Sequence, residues 1–409
     1  MEQAVPQCRA DAERLDSSDP LRHTRALFDL PAGETYLVGH SLGPVTHAAL
    51  AALNNAASGH WRRDIVGAWN SAGWFDLPDV VGGKIAPLIG ASPREVLIAD
   101  SVSLNLYKLA AVALPLARSK HLIVEDDEFP TDQYIIEALS DLSAGEFTRA
   151  APGSGLDVLA RTGGVLVLST VNYRSAEVRD MAHAEQVARD AGGLIVWDLS
   201  HATGVLALDL TDAGAKLATG CTYKYLNGGP GAPAFVFVAG DLADEVQSPL
   251  PGWMGHARPF AFEPAYEPAP GLRRFASGTP PILSLAALSG ALDAFDGLAT
   301  ADIEAKAGTL GDLVTARAGL AGLDVVSPSF SKRRGGHVSF RHPNGFEIVQ
   351  ALAARGIHAD FRAPDTIRFG LSPLFLRHTD IWDAMDALDD ILQRRAWDAE
   401  TFRKRPTVT

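Results

Sequence analysis

From about residue 82 to residue 240 the chain alternates short, continuously apolar runs with helical patterns, and few architectures accept that order. The runs at 96–99 (VLIA), 122–124 (LIV), 165–168 (VLVL), 194–197 (LIVW) and 233–238 (PAFVFV) show no polar alternation. Helical patterns separate them at 104–117 and 131–139, and Met181, Ala184, Val187, Ala188 and Ala191 fall on one helical face. Strands without a polar face need cover on both sides, so the pattern predicts an α/β fold with a mostly parallel central sheet. Ligands of such sheets sit beyond the carboxyl ends of the strands. The residues that follow each run are therefore the ones to inspect.

At 409 residues the chain exceeds one typical core. The expected division is an N-terminal arm and part of a small domain at 1–44, a large domain at 45–285 and a smaller α+β domain at 286–409, with strands at 337–340 and 366–369. Residues 1–44 are polar and then punctuated by Gly and Pro, which suggests an arm leading into a turn. Residues 48–57 are Ala/Leu-rich and expected to be helical. The stretch 61–74 holds Trp61, Trp69 and Trp74 and is too broken by glycine for a regular surface helix. Residues 249–281 suggest a long ordered loop.

A net charge of −13 argues against a nucleic-acid or anionic-membrane partner, because either would want a basic face. Cys8 and Cys221 have no metal-ligand spacing and form no disulfide framework, which points to a reducing cytoplasm. The first 20 residues lack the apolar core of a signal peptide. The longest apolar run, 109–117, contains a proline and is too short to span a membrane.

The strongest chemical signal lies at 195–228. An apolar run ends in Asp198, with Ser200 and His201 next; 26 residues later Lys224 sits between Tyr223 and Tyr225, ahead of Asn227-Gly228-Gly229-Pro230-Gly231. A buried carboxylate ahead of a lysine in a small-residue loop suits pyridoxal phosphate (PLP): the lysine forms the Schiff base and the carboxylate keeps the pyridine nitrogen protonated. Taken singly, each has a plainer reading. Most lysines are solvated, an Asp after a strand is often a helix cap, and His201 alone would be a core histidine. Asp100-Ser101-Val102-Ser103-Leu104-Asn105, between a strand and a helix, suits a helix cap, a phosphate site, or both. Phe129, in Phe129-Pro130-Thr131-Asp132, can stack on a flat ring or pack in a core. The acidic run at 125–128 is most simply a solvated loop. Arg368, inside an apolar strand, is either paired or placed to take a carboxylate. Gly39-His40-Ser41-Leu42-Gly43 matches the GxSxG nucleophile elbow, but only about three strand-like residues precede it, so a plain glycine turn is favoured. There is no GxxxxGK[ST] and no HExxH.

These residues belong to longer motifs: Trp69-Asn70-Ser71-Ala72-Gly73-Trp74, Phe129-Pro130-Thr131-Asp132, Val171-Asn172-Tyr173-Arg174, Trp197-Asp198-Leu199-Ser200-His201, Gly255-His256-Ala257-Arg258-Pro259-Phe260, Gly278-Thr279-Pro280-Pro281 and Asp360-Phe361-Arg362-Ala363-Pro364-Asp365, besides the Lys224 loop. Their order resembles kynureninase, a PLP-dependent hydrolase of fold type I, from about Phe28 to Trp397. The resemblance implies hydrolysis of the Cβ–Cγ bond of L-kynurenine or 3-hydroxykynurenine to an anthranilate and L-alanine, in tryptophan degradation. It implies that Lys224 carries the cofactor and moves protons at Cα, with Asp198 on the pyridine nitrogen and His201 near the ring. Phe129 would stack on the ring, Asp132 would bond near its 3-oxygen, and Val102, Ser103 and Tyr223 would hold the phosphate, Tyr223 doubling as acid/base. Arg368 would clamp the substrate carboxylate, with Ser41 and His40 nearby. Trp253 and Thr279 would reach the site from a second subunit, making a homodimer with shared sites. The family turn usually reads Asp-Gly-Asn-Ser-Leu-Gly; here it is Val38-Gly39-His40-Ser41-Leu42-Gly43. Thr170 stands where a His is usual, Val102 where bacterial relatives often carry a hydroxyl, and Asp126-Asp127-Glu128 replaces a milder lead into Phe129. The aryl end of the substrate is thus the open question, and another aryl or β-keto amino acid is the alternative. A cysteine desulfurase-like lyase would need a cysteine on a mobile loop, which neither Cys8 nor Cys221 suits. An inactive regulator of this fold is disfavoured by the presence of Lys224, Asp198 and Arg368 together.

Overall fold

The computed structural model describes residues 5–404. Seven strands form the large sheet: β1 (Val96–Ile98), β2 (His121–Glu125), β3 (Glu146–Ala150), β4 (Val165–Ser169), β5 (Leu194–Asp198), β6 (Leu217–Gly220) and β7 (Phe235–Val238). Their spatial order is β1-β7-β6-β5-β4-β2-β3. The pairings from β3 through β6 are parallel, and β7 runs antiparallel to both β6 and β1. The expected mostly parallel α/β sheet is what the chain forms.

Alternate residues of each strand feed opposite cores, as the two-residue period requires. Leu122, Val165, Val167, Val196 and Leu217 pack with the helices Val102–Ala113 and Pro130–Ser143 through Leu106, Leu109, Ile136 and Leu139. Ile123, Leu166, Leu168, Ile195 and Trp197 join Leu159, Met181, Ala184 and Ala188 of the helices Gly155–Thr162 and Met181–Ala191. Each such fully buried side chain contributes roughly 1.5–3 kcal/mol. Both faces are covered, and for that reason the runs carry no polar alternation.

A second sheet, antiparallel throughout, orders as β10-β11-β9-β8 from β8 (Asp324–Val325), β9 (His337–Arg341), β10 (Asp360–Arg362) and β11 (Thr366–Gly370). Register sets Asp360 opposite Arg368.

Several elements differ from expectation. β3 (EFTRA) is a half-exposed edge strand, so it carries no apolar run, and β6 (LATG) is short and made of small residues although it lies fully buried in the middle of the sheet. The helix expected at 104–117 starts at Val102, capped by Ser101, and ends at Ala113, two residues before Pro115. The arm expected at the N-terminus contains a helix. Its helix Arg9–Ser18 docks on the helix His378–Gln393, where Asp16 accepts from His378 N (2.6 Å), Thr379 N (3.1 Å) and Thr379 Oγ1 (2.7 Å). Among the described residues, no single helix is long and apolar enough to cross a membrane.

Partial burial pushes the Asp16 carboxyl up, but the His378 and Thr379 donors outweigh it and hold the group at about 2. A folded-state pKa below the unfolded value of about 3.9 adds stability above that value, and the contribution is lost as pH falls through 2; solvent screening of this half-buried group brings its size to about 1 kcal/mol. Asp16→Ala is expected to lower the urea-unfolding free energy by about that amount at pH 7, with the difference from wild type shrinking as pH drops from 4 toward 2.

Candidate active site

Across β4, β5 and β6 the register places Ser169, Asp198 and Thr219 side by side at the carboxyl ends of the strands. The loop after β6 brings Lys224 back over Asp198. Its turn is closed by Asn227 N to Lys224 O (3.0 Å) and Gly228 N to Thr222 O (2.8 Å), and Asn227, Gly229 and Gly231 take positive φ, which the Asn/Gly composition permits. The Gly39–Gly43 turn clamps the loop from outside: Gly43 N donates to Tyr223 O (2.8 Å), and a Cβ on Gly43 would fall 2.3 Å from Lys224 O.

A cavity of about 240 Å³ opens here. Its lining includes Lys224, Asp198, His201, Tyr223, Val102, Ser103, Phe129, Asp132, His40, Ser41 and Arg368, so eleven of the thirteen sequence-selected residues meet in one place. Lys224 is half-buried, and its amine makes no hydrogen bond or ion pair among the described residues. Asp198 Oδ1 accepts from Ser200 N (2.8 Å). Asp132 is buried against it, and burial first, then the charge of Asp198, pushes the Asp132 carboxyl well above the usual range. Burial, reinforced by the charge of Lys224, holds His201 well below its ordinary value and therefore neutral. Burial raises the Tyr223 phenol, keeping its proton in place at neutral pH. Val102 and Ser103 open the twelve-residue helix Val102–Ala113, presenting its first-turn amides. Lys108 anchors this turn from below through Asp100 and Phe275 O. Phe129 is half exposed and meets Tyr173 edge-on at 5.4 Å.

Arg368 satisfies both of its sequence readings. It is buried and paired, with Nε and Nη2 donating to Asp360 Oδ2 and Nη1 to Tyr173 O, and it also lines the cavity. Three of the five N–H groups are thus taken, and one on each of Nη1 and Nη2 remains for a ligand carboxylate. Arg362 Nε lies 3.3 Å and His40 Nε2 3.4 Å from the same Asp360 oxygen. The His40 ring is fully buried, stacks on His337 at 5.3 Å and makes no aligned hydrogen bond. Burial, then Arg368, pushes His40 down to about 4, so it is neutral.

The acidic run is not a solvated loop. Glu125 and Glu128 are buried and share Arg179, at 2.7 and 3.2 Å, because the turn folds back over the strand ends. Trp253 and Thr279 lie outside the cavity in the same chain: Thr279 lines a separate 110 Å³ hollow with Phe75 and Arg273, and Trp253 packs edge-on against Phe260. Ser41 follows only the two-residue strand Thr35–Tyr36, outside the large sheet, so the glycine turn is no nucleophile elbow. The Cys221 thiol is buried and pushed up, unsuited to nucleophilic work. Sequence reasoning passed over Ser169, Tyr173 and Arg362, which also line the cavity. Ser169 was marked by its place just past the VLVL run, and Tyr173 and Arg362 by the motifs Val171-Asn172-Tyr173-Arg174 and Asp360-Phe361-Arg362-Ala363-Pro364-Asp365 that contain them. Among the described residues no cluster suits a metal.

The chemistry of these donors fits pyridoxal phosphate. A free amine, a carboxylate fixed by a backbone N–H and a helix N-terminus converge, and Asp132 Oδ2 and His201 Nδ1 are buried without a hydrogen-bond partner. Comparison with known proteins agrees. Residues 303–388 match the kynureninase C-terminal domain. The kynureninase of Burkholderia mallei (strain SAVP1) is 42% identical over 98% of this chain and 99% of its own length, and that of Pseudomonas fluorescens is 40% identical over the same shares. In structure the chain is similar to the apo cysteine desulfurase of Thermococcus onnurineus NA1 (TM-score 0.76, 14% identity, 96% and 99% of the two chains). It is also similar to the cystine C–S lyase C-DES in complex with cysteine persulfide (TM-score 0.76, 20% identity, 88% and 98%). At those identities the likeness speaks for the fold.

Gly43→Ala is expected to displace the Lys224 loop and cost about 2 kcal/mol, the scale of overpacking a close contact. A thermal melt and the absorbance of bound cofactor check it: both melting temperature and occupancy should fall, and no change in either would remove the clamp from the account.

Proposed function

The chain belongs to the kynureninase family, and we propose on that premise that it hydrolyses the Cβ–Cγ bond of L-kynurenine or its 3-hydroxy derivative. Water adds to the γ-carbonyl, the Cβ–Cγ bond breaks, the hydroxyl stays with the anthranilate carboxyl group and Cβ takes a proton to become the methyl of L-alanine. The observation that carries this reading is the convergence of Lys224, Asp198, the first turn of Val102–Ala113 and Arg368 on one cavity. Pyridoxal phosphate, which Lys224 would hold covalently in the resting enzyme, would supply the electron sink that stabilises negative charge at Cα and Cβ.

The rest falls to the protein. The Lys224 amine takes and returns the Cα proton. Asp198, immobilised by Ser200 N–H and with Asp132 beside it, would hold the proton on the ring nitrogen, and His201 would lie close to the ring. Phe129 would cover a ring face. Ser103, the amides of the Val102 turn and Tyr223 would hold the phosphate. The Tyr223 phenol, kept protonated by burial, serves as the acid toward the carbonyl oxygen and Cβ. Arg368 orients the α-carboxylate through the N–H groups left on Nη1 and Nη2 while Asp360 and Tyr173 O fix its plane, with Ser41 lining the cavity and His40 beside Asp360.

The working form is a homodimer, with Trp253 and Thr279 completing the partner's site. Support comes from their position outside the cavity of their own chain and from exposed Phe260, Phe262, Ile65 and Val66. The boundaries near 45 and 285 and a cytoplasmic location, suggested by two unpaired cysteines, complete the reading.

Purified protein mixed separately with L-kynurenine and 3-hydroxykynurenine, followed by fluorescence of the aromatic product and by alanine release, tests the reaction. Turnover of at least one is expected. A Lys224→Ala variant should lose turnover by several orders of magnitude and lack the absorbance of lysine-bound cofactor. A wild-type protein that binds the cofactor and cleaves neither compound would overturn the substrate.

A further inference from the structure

We propose that Glu128 is a positioning residue that holds the Ser169 hydroxyl as a hydrogen-bond acceptor facing the cofactor. The inference rests on reading the cavity as the cofactor site and concerns a side chain that the reaction above leaves unused. Glu128 is 1% exposed. Its Oε1 accepts from Ser169 N at 3.1 Å and its Oε2 from Ser169 Oγ, while Arg179 Nη2, shared with Glu125, lies 3.2 Å from Oε1. A hydroxyl has one proton. With that proton committed to Glu128, Ser169 Oγ offers only lone pairs to the cavity it lines. Ser169 stands in register with Asp198, so the two present acceptors side by side at the edge where a ring-nitrogen proton is to be held. An edge built of acceptors favours the protonated ring.

Glu128→Gln preserves shape and reverses this polarity. The amide oxygen still accepts from Ser169 N, but the NH₂ faces Oγ and turns the hydroxyl proton into the cavity. The test uses holoenzyme at pH 8.5, above the value near 7 to which burial pushes Glu128. Glu128→Gln is expected to shift the absorbance maximum of lysine-bound cofactor and weaken pyridoxal phosphate binding about tenfold, the scale of one hydrogen bond to a charged group. In the Ser169→Ala background the same substitution should change both quantities much less, leaving only the effect of the lost charge on Asp132. Effects that add independently of Ser169, or an unchanged spectrum and affinity, would overturn the proposal. Should Glu128→Gln fail to fold, Glu128→Asp, which withdraws the carboxylate from Ser169, is judged by the same cycle. A wild-type protein with no cofactor absorbance would instead refute the cofactor reading itself.

Discussion

The alignment of Ser169, Asp198 and Thr219 across three parallel strands is the constraint from which the rest of the site is built. A parallel register brings the carboxyl ends of neighbouring strands level, and the chain must leave the sheet there through loops. Asp198 is the last residue of its strand, so its side chain is as rigid as the sheet while its environment is open on one side. The Lys224 loop, the Val102 helix and the turn at Glu128 all leave the same end of the sheet. A one-residue slip in β5 would turn Asp198 to the other face and dismantle the site.

The second sheet supplies what the first cannot. Its antiparallel register sets Asp360 against Arg368, and the ion pair is buried where a lone guanidinium would be costly. Asp360 and Tyr173 O together take three of the five N–H groups and leave one on each terminal nitrogen. The neutral imidazoles of His40, His201 and His337 surround this pair without adding competing charge. Positive charge for an anionic ligand therefore comes from Arg368 and Arg362 at one end and Lys224 at the other.

Much of this was legible in the sequence because the physics that shapes it is local. Apolar runs without alternation announce a doubly covered sheet, and Asp198 and Lys224 stand out through their neighbours. What escaped reading depends on distant partners. Glu128 looks solvated until Arg179, 51 residues on, folds over it. β6 is hidden because Leu-Ala-Thr-Gly has little strand propensity and owes its place to β5 and β7. The helix at Arg9–Ser18 is polar enough to pass for an arm, and its docking uses Asp16, which caps a helix 362 residues away, and Arg9, which pairs with Asp383 of that helix. The long motifs fixed a family resemblance that no periodicity could, and they left the turn at His40 as the distinctive part of this chain.

The central claim is that Lys224, over Asp198, carries the cofactor. Borohydride reduction of the pyridoxal phosphate-loaded protein, followed by proteolysis and mass mapping, tests it directly. The account requires the reduced pyridoxyl group on the peptide containing Lys224 and on no other lysine; a label elsewhere, or none on a protein that retains its cofactor absorbance, would contradict it.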